Sequence, residues 1–242
     1  WVRPMNSSMY CEAFGITVDS AGNSYVVGTF RNNVSLGALS ISNFGSFRVF
    51  VAKLDAAGNP VWLKQGDSTV WAGDLSIAGD GSGNCIVGGN YTGTIAFGSV
   101  ALPSQTTKYY SFAVKMDPNG DAVWAKALSL RQGVPGVFVD SAGNSTVAAS
   151  FQGDVQFGST NLYSLYAEVL LVRIDPDGNY VWATQLDASS TSYGQGIMVD
   201  ASGNLYVTGR MRGSATCGGD VLNSGSSNIA FIAMFDATGT CV

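Results

Sequence analysis

Aspartate is the commonest charged residue of this 242-residue chain, and its placement is periodic. Eight of the fifteen aspartates open a four-residue motif that ends in Gly. One set reads Asp19-Ser-Ala-Gly22-Asn23, Asp80-Gly-Ser-Gly83-Asn84, Asp140-Ser-Ala-Gly143-Asn144 and Asp200-Ala-Ser-Gly203-Asn204. The interleaved set reads Asp55-Ala-Ala-Gly58, Asp117-Pro-Asn-Gly120, Asp175-Pro-Asp-Gly178 and Asp236-Ala-Thr-Gly239. Carboxylates so arranged could hold calcium, work in pairs as acid and base in hydrolysis, or cap turns. Calcium takes six or more oxygens, usually from several carboxylates. The tip richest in oxygen, with Asp175, Asp177 and Asn179, is the one metal candidate. Turn capping accounts for all eight alike. Asp at the first position accepts backbone N–H groups, and the Gly that follows takes the left-handed conformation. Pro118 and Pro176, at the second position, suit the same turn. The motifs are expected to be hairpin tips with no resident metal.

Little else in the chain suits catalysis. There is no histidine, which removes Ser-His-Asp and Cys-His nucleophiles, histidine metal sites and the commonest base at neutral pH. Only two glutamates are present, Glu12 and Glu168. The expectation is a protein that is not an enzyme and needs no cofactor.

Tryptophan is as periodic as aspartate. A Val-Trp pair follows the second tip at Val61-Trp62, Val123-Trp124 and Val181-Trp182. The fourth pair is split between the chain ends, Cys241-Val242 and Trp1-Val2. The tryptophan spacings are 61, 62 and 58 residues, and 61 again around the join. Such a repeat is circular in sequence and predicts a ring in which Trp1 and Val2 complete the last strand begun by Cys241 and Val242. In that place Trp1 is expected to pack as Trp62, Trp124 and Trp182 do, between units rather than as a sugar platform.

The elements that carry these tips read as strands. Apolar and β-branched runs flank each one, as in Gly15-Ile-Thr-Val-Asp19, Ser24-Tyr-Val-Val-Gly-Thr-Phe30 and Phe50-Val-Ala-Lys-Leu-Asp55, and no segment has a helical period. Each unit of about 60 residues therefore holds four antiparallel strands. A lone sheet of this kind exposes two apolar faces, and stacking around an axis buries them. The expected fold is all-β: a four-bladed β-propeller filling residues 1–242 as one domain. Its repeats are 1–62, 63–124, 125–182 and 183–242, with the ring closed by the N-terminal residues.

Composition narrows the partners. Forty-six per cent of residues are hydrophobic, enough for a large core, and 31 glycines suit many tight turns. A net charge of −5 argues against nucleic acid and against anionic membrane surfaces, and no apolar run is long enough for a membrane helix. Few charges and much Ser, Thr, Asn and Gly fit an exported protein. Of the four cysteines, Cys11 and Cys217 are expected on one side of the ring seam and are the candidate disulfide, leaving Cys85 and Cys241 free. Asn6, Asn33 and Asn90 match the N-glycosylation pattern; Asn144 does too, but is already a tip residue.

Two stretches carry a family likeness. Ile95-Ala-Phe-Gly98 with Val100-Ala-Leu, then Phe112-Ala-Val-Lys-Met-Asp-Pro-Asn-Gly-Asp-Ala-Val-Trp124, resembles the bacterial β-propeller repeat called SBBP. Val34-Ser-Leu-Gly37 and Val155-Gln-Phe-Gly158 fit it, whereas Cys217-Gly218 puts Cys in the aromatic place. The resemblance implies an exported, surface-associated protein and brings no catalytic residues. The expected function is a non-catalytic structural or adhesive module, extracellular or on the cell surface, joining other copies of itself head to tail. The alternative is a lectin-like propeller that binds cell-surface glycans.

Overall fold

The computed structural model describes residues 1–43, 45, 47–68, 71–130, 136–200 and 202–242, with backbone alone at 106–108 and 129–130. Every regular element among them is a strand. The first repeat contains β1 (Tyr10–Val18), β2 (Ser24–Arg31), a short hairpin of β3 (Asn33–Leu36) and β4 (Leu39–Ser42), then β5 (Arg48–Leu54) and β6 (Pro60–Ser68). The second contains β7 (Trp71–Gly79), β8 (Cys85–Gly93), the hairpin β9 (Ile95–Phe97) and β10 (Val100–Ala101), β11 (Gln105–Met116) and β12 (Ala122–Leu130). In the third, β13 (Gly136–Val139) precedes two long strands that absorb the hairpin, β14 (Ser145–Phe157) and β15 (Thr160–Ile174), followed by β16 (Tyr180–Gln185). The fourth has β17 (Ser192–Val199), β18 (Leu205–Met211), the hairpin β19 (Ser214–Cys217) and β20 (Asp220–Asn223), and β21 (Ile229–Phe235).

The four main strands of each repeat pair in chain order as an antiparallel sheet, and in the fourth repeat three of them do so. We call each sheet with its hairpin a blade. A recurrent contact fixes the register of the second and third strands. Gly28 lies opposite Phe50, Gly89 opposite Phe112 and Gly209 opposite Phe231. A Cβ on Gly28 would stand 2.5 Å from the Phe50 ring, so the benzyl group lies across bare backbone. In the third blade both partners change together, to Ala149 opposite Leu170.

Successive blades bury each other's faces. Tyr25, Val51 and Trp62 of the first blade meet Leu75, Phe112 and Val114 of the second. Ile86, Ala113 and Trp124 of the second meet Val147, Leu170 and Val172 of the third. Ala148 and Leu171 of the third meet Leu205, Val207 and Phe235 of the fourth. The short hairpins stitch these layers together. Gly66, Asp67 and Ser68 on β6 pair with Phe97, Ala96 and Ile95 on β9, and Ala188 pairs with Ala215 between the last two blades.

The chain is all-β and propeller-type, but the expected ring closure is not formed. No strand pairing among the described residues joins the first blade to the fourth. Cys241 bridges Phe235, and the Val242 N–H donates to the Met234 carbonyl at 3.0 Å. Beyond that point the outer edge of β21 pairs with no strand among the described residues. Trp1 and Arg3 lie instead against the first blade, for a reason visible in the tips.

Candidate functional site: capped tips, tryptophan clasps and two open end faces

Each tip is built as its sequence predicts. Asp55 accepts the Asn59 N–H at 2.7 Å through Oδ1 and the Asn59 amide at 2.9 Å through Oδ2. Asp19, Asp80, Asp140 and Asp200 repeat the pattern with the Asn four residues on. At seven of the tips the Gly N–H closes the turn onto the Asp carbonyl, as from Gly58 to Asp55 at 2.8 Å, where the Gly sits at φ +79. These bonds favour the ionised carboxylate. The Asn59 N–H and then its amide hold Asp55 below the usual carboxylate range. The Asn179 amide and then its N–H do so for Asp175.

The same bonds occupy the calcium candidate. Both oxygens of Asp175 accept hydrogen bonds from Asn179, and the Asp177 N–H donates to Asp175 Oδ1 at 3.0 Å. No group of three or more Cys, Asp or Glu is placed to hold a metal among the described residues. Glu168 is buried on β15 with Oε2 unpartnered, and burial pushes its carboxyl up against the opposing hydrogen bond of Ser164.

The tryptophans join blade to blade. Trp62 Nε1 donates to the Pro118 carbonyl at 3.0 Å, Trp124 Nε1 to Pro176 at 3.1 Å and Trp182 Nε1 to Ala237 at 3.2 Å. In each case the indole lies over the tip glycine of the following blade: Gly120, Gly178 and Gly239. Lys53 and Lys115 donate to the same two proline carbonyls, so each tip is gripped by an indole and an ammonium. Trp1 makes the fourth clasp. Its ring lies over Gly58, and its Nε1 donates to Ala56 at 3.3 Å. Farther along, Asn6 pairs with Ser35 as Asp67 does with Ala96. Residues 1–6 thus occupy, on the first blade, the place of a preceding blade's last strand. Trp1 was expected to pack as the other indoles do, and this contact is made, while the strand it should extend lies elsewhere.

The cysteine expectation is overturned. Cys217 bonds to Cys241, with Cα atoms 5.0 Å apart, and Cys11 and Cys85 are free. The β19–β20 hairpin folds back over its own blade and brings Cys217 to the start of the last strand, whereas Cys11 lies opposite Phe30 on the first blade. In the third blade the same two positions hold Phe157 and Tyr180, packed edge to face at 5.3 Å. The disulfide replaces an apolar contact of the repeat. Burial pushes the Cys85 thiol up to about 12, leaving it unreactive.

The glycosylation candidates divide. Asn6 and Asn33 are exposed, with Asn33 accepting from the Ser8 N–H at 2.9 Å. Asn90 is fully buried, accepts from Ser111 and donates to Asp74. It is closed to modification in the folded chain.

The sequence reading missed the two end faces, because assumed closure covered them. The face that points toward a preceding blade is here termed leading, and the opposite face trailing. At one trailing position Val51, Ala113 and Leu171 are 0% exposed, while Ile232 in the fourth blade is 73% exposed. At another, Tyr25 is buried and its counterpart Tyr206 is 39% exposed. Met198 is exposed on the same face. On the leading face of the first blade, Phe14, Ile16 and Val18 are exposed, where Leu75 and Ile77 pack in the second blade. A separate feature is a shallow depression of about 220 Å³ on the third blade, lined by Asp154, Val155, Gln156, Asn161 and Leu162. Exposed Tyr163, Leu165 and Tyr166 lie on the same hairpin.

Residues 181–210, from a Val-Trp pair through the Asp200 tip into β18, match the family model described as SBBP, beta-propeller repeat. No curated protein matches the chain. Among solved structures, a protein of unknown function from Bacteroides caccae aligns over 97% of this chain and 81% of its own, at 10% identity and a TM-score of 0.38. The Pan2 WD40 domain of Neurospora crassa aligns over 94% and 83%, at 10% identity and a TM-score of 0.24. Residues 181–210 thus resemble one repeat of the SBBP β-propeller family.

Proposed function

We propose that this chain is a non-catalytic structural or adhesive module of four propeller blades, working outside the cell or on its surface. One observation carries the reading: the repeated polar groups are spent on the fold itself. The tip carboxylates cap their own turns and the indoles clasp the next blade. Apolar side chains stand exposed on the first and fourth blades, among them Ile16 and Ile232. The Cys217–Cys241 disulfide fits an oxidising compartment.

A glycan-binding reading draws on a different observation. Tyr163 and Tyr166 beside Asp154, Gln156 and Asn161 combine exposed aromatic rings with carboxylate and amide groups on the third blade. The test is a glycan array and a panel of glycoside and ester substrates, both run with the purified disulfide-bonded protein. The structural reading expects no turnover and no saturable glycan binding. Binding abolished by Tyr163→Ala would establish the second reading instead, and turnover abolished by Asp154→Asn would overturn both.

A further inference from the structure

We infer that the outer side of the third-blade hairpin is a docking site for a lysine or arginine side chain on a segment of a partner protein. The inference rests on the adhesive reading and deepens it by naming the partner's chemistry.

The site is a departure of one repeat from the other three. Asp154 pairs with Tyr163 and Gln156 with Asn161 across β14 and β15, so these four side chains share one side of the hairpin. All four are exposed, while Val155, Phe157 and Leu162 on the other side pack into the core. At the place of Asp154 the other blades carry Asn33, Thr94 and Ser214, and at the place of Tyr163 they carry Ser42, Pro103 and Asn223. Those hairpins fold with neither a carboxylate nor a ring there, so the fold requires neither. β14 and β15 are also the longest strands, 13 and 15 residues, and run from the blade into the hairpin without a break. A site on such strands is held more rigidly than one on a loop.

The chemistry of the face selects a cation. Asp154 takes part in no ion pair among the described residues. The Gln185 amide donates to the Tyr163 carbonyl at 3.4 Å and to the Asp187 carboxylate at 3.2 Å, which ties a second exposed carboxylate to the same strand. Gln156 spends an amide N–H on the Gly158 carbonyl at 3.2 Å. What stands outward is rich in acceptors, beside a tyrosine that is 59% exposed. Sugar hydroxyls call for donors as well, whereas a cation is satisfied by acceptors and the face of a ring. The chain itself uses that combination. Lys53 Nζ lies 5.0 Å from the centre of the Tyr25 ring, whose hydroxyl donates to Asp19. Lys126 covers Tyr180 at 5.2 Å and Arg210 covers Tyr193 at 4.7 Å. At Tyr163 the carboxylate and the ring belong to this chain, and the depression of about 220 Å³ beside Asp154 gives a partner's cationic head group room.

The test is an NMR titration of the full, disulfide-bonded chain with an end-capped Lys-Gly-Lys peptide, and with the same peptide acetylated at both lysines. The amide signals of Asp154, Gln156, Asn161 and Tyr163 should move and saturate with the cationic peptide and stay still with the acetylated one. Asp154→Asn and Tyr163→Ala should each weaken binding about fivefold. Asp220→Asn removes the same charge from the exposed hairpin of the fourth blade and should leave the affinity unchanged. Equal weakening by Asp154→Asn and Asp220→Asn would reduce the binding to attraction by net charge and overturn the inference. So would shifts confined to the tips, or an equal response to the acetylated peptide. A neutral glycan that saturates the same signals while the peptide does not would give the face to sugar and overturn it as well. Attachment to a protein-coated surface by a chain that ignores the peptide would refute this site and leave the adhesive reading standing. Peptide binding accompanied by turnover of a substrate would refute the non-catalytic reading alone.

Discussion

The layer between the first and second blades and the open face of the fourth are made from the same positions of one repeat, yet one is a core and the other is surface. Val51 and Tyr25 are buried because the leading face of the second blade covers them; Ile232 and Tyr206 are exposed because no described residue covers them. Burial here is a property of the neighbour, not of the residue. Within a stacked repeat, stability is held in the layers between units.

The largest expected effect contrasts Val51→Asp with Ile232→Asp. A carboxylate at Val51 would be buried without a partner, costing about 4 kcal/mol or more. At Ile232 it would face solvent and change the dilute monomer by less than about 0.5 kcal/mol. Urea denaturation of both reads the difference directly, and equal losses would break the comparison.

Next comes the disulfide, which reinforces the blade with the open trailing face. Cys241→Ser should cost roughly 3 kcal/mol by loop entropy for a separation of 24 residues. Cys11→Ser should leave the midpoint within about 0.5 kcal/mol of wild type. Peptide mapping without reduction should recover Cys217 joined to Cys241.

A smaller contrast lies at two glycines of identical turn geometry. Gly120→Ala would add a left-handed strain and press a methyl to 2.9 Å from the Trp62 ring, which is held by the pairing of β6 with β5 and by the Nε1 bond to Pro118. About 2–3 kcal/mol is expected. Gly58→Ala meets the Trp1 ring, but that ring is 62% exposed where Trp62 is 8% exposed and can lift away, so the strain alone, about 1 kcal/mol, should remain. Equal melting shifts would mean that Trp1 is held as firmly as an internal indole.

The smallest effects are expected in acid, where interior and end blades should behave alike. The folded pKa values of Asp55, Asp175, Asp200 and Asp236 lie below 3.8, lowered by Asn59, Asn179, Asn204 and Thr238 in turn. A depressed carboxylate contributes stability that is present above its unfolded pKa and lost as pH falls through the folded one. Stability should therefore fall below about pH 3.8, and the loss should shrink when any one of these aspartates is replaced by Asn.

Much of this was legible in the sequence, because local chemistry fixes it. Asp first, Gly fourth and Asn fifth specify a turn whose bonds lie within five residues. The Trp spacing likewise led Trp1 to be expected to pack as the other three indoles do, and it does. The partner of a face is another matter. A circular repeat says that the last strand belongs beside β21 and over Gly58, but the same spacing fits closure within one molecule and closure between two. The disulfide failed for a related reason: the fold-back of β19–β20 is a tertiary choice, invisible in the alternation of the hairpin itself. Comparison across repeats held the signal, since Cys217 and Cys241 stand where Phe157 and Tyr180 touch. Asn90 fits a modification pattern by sequence and is sealed in the second blade by Ser111 and Asp74.

The most direct test of the comparison is radical footprinting of the dilute monomer, read at matched positions of the repeat. The account predicts strong labelling at Ile232, Met198 and Tyr206 on the trailing face and at Phe14 and Ile16 on the leading face, with Val51, Leu171 and Tyr25 protected. Protection of Ile232 and Ile16 in a species that sediments as a monomer would contradict it, because the two end faces would then be covering each other within one chain.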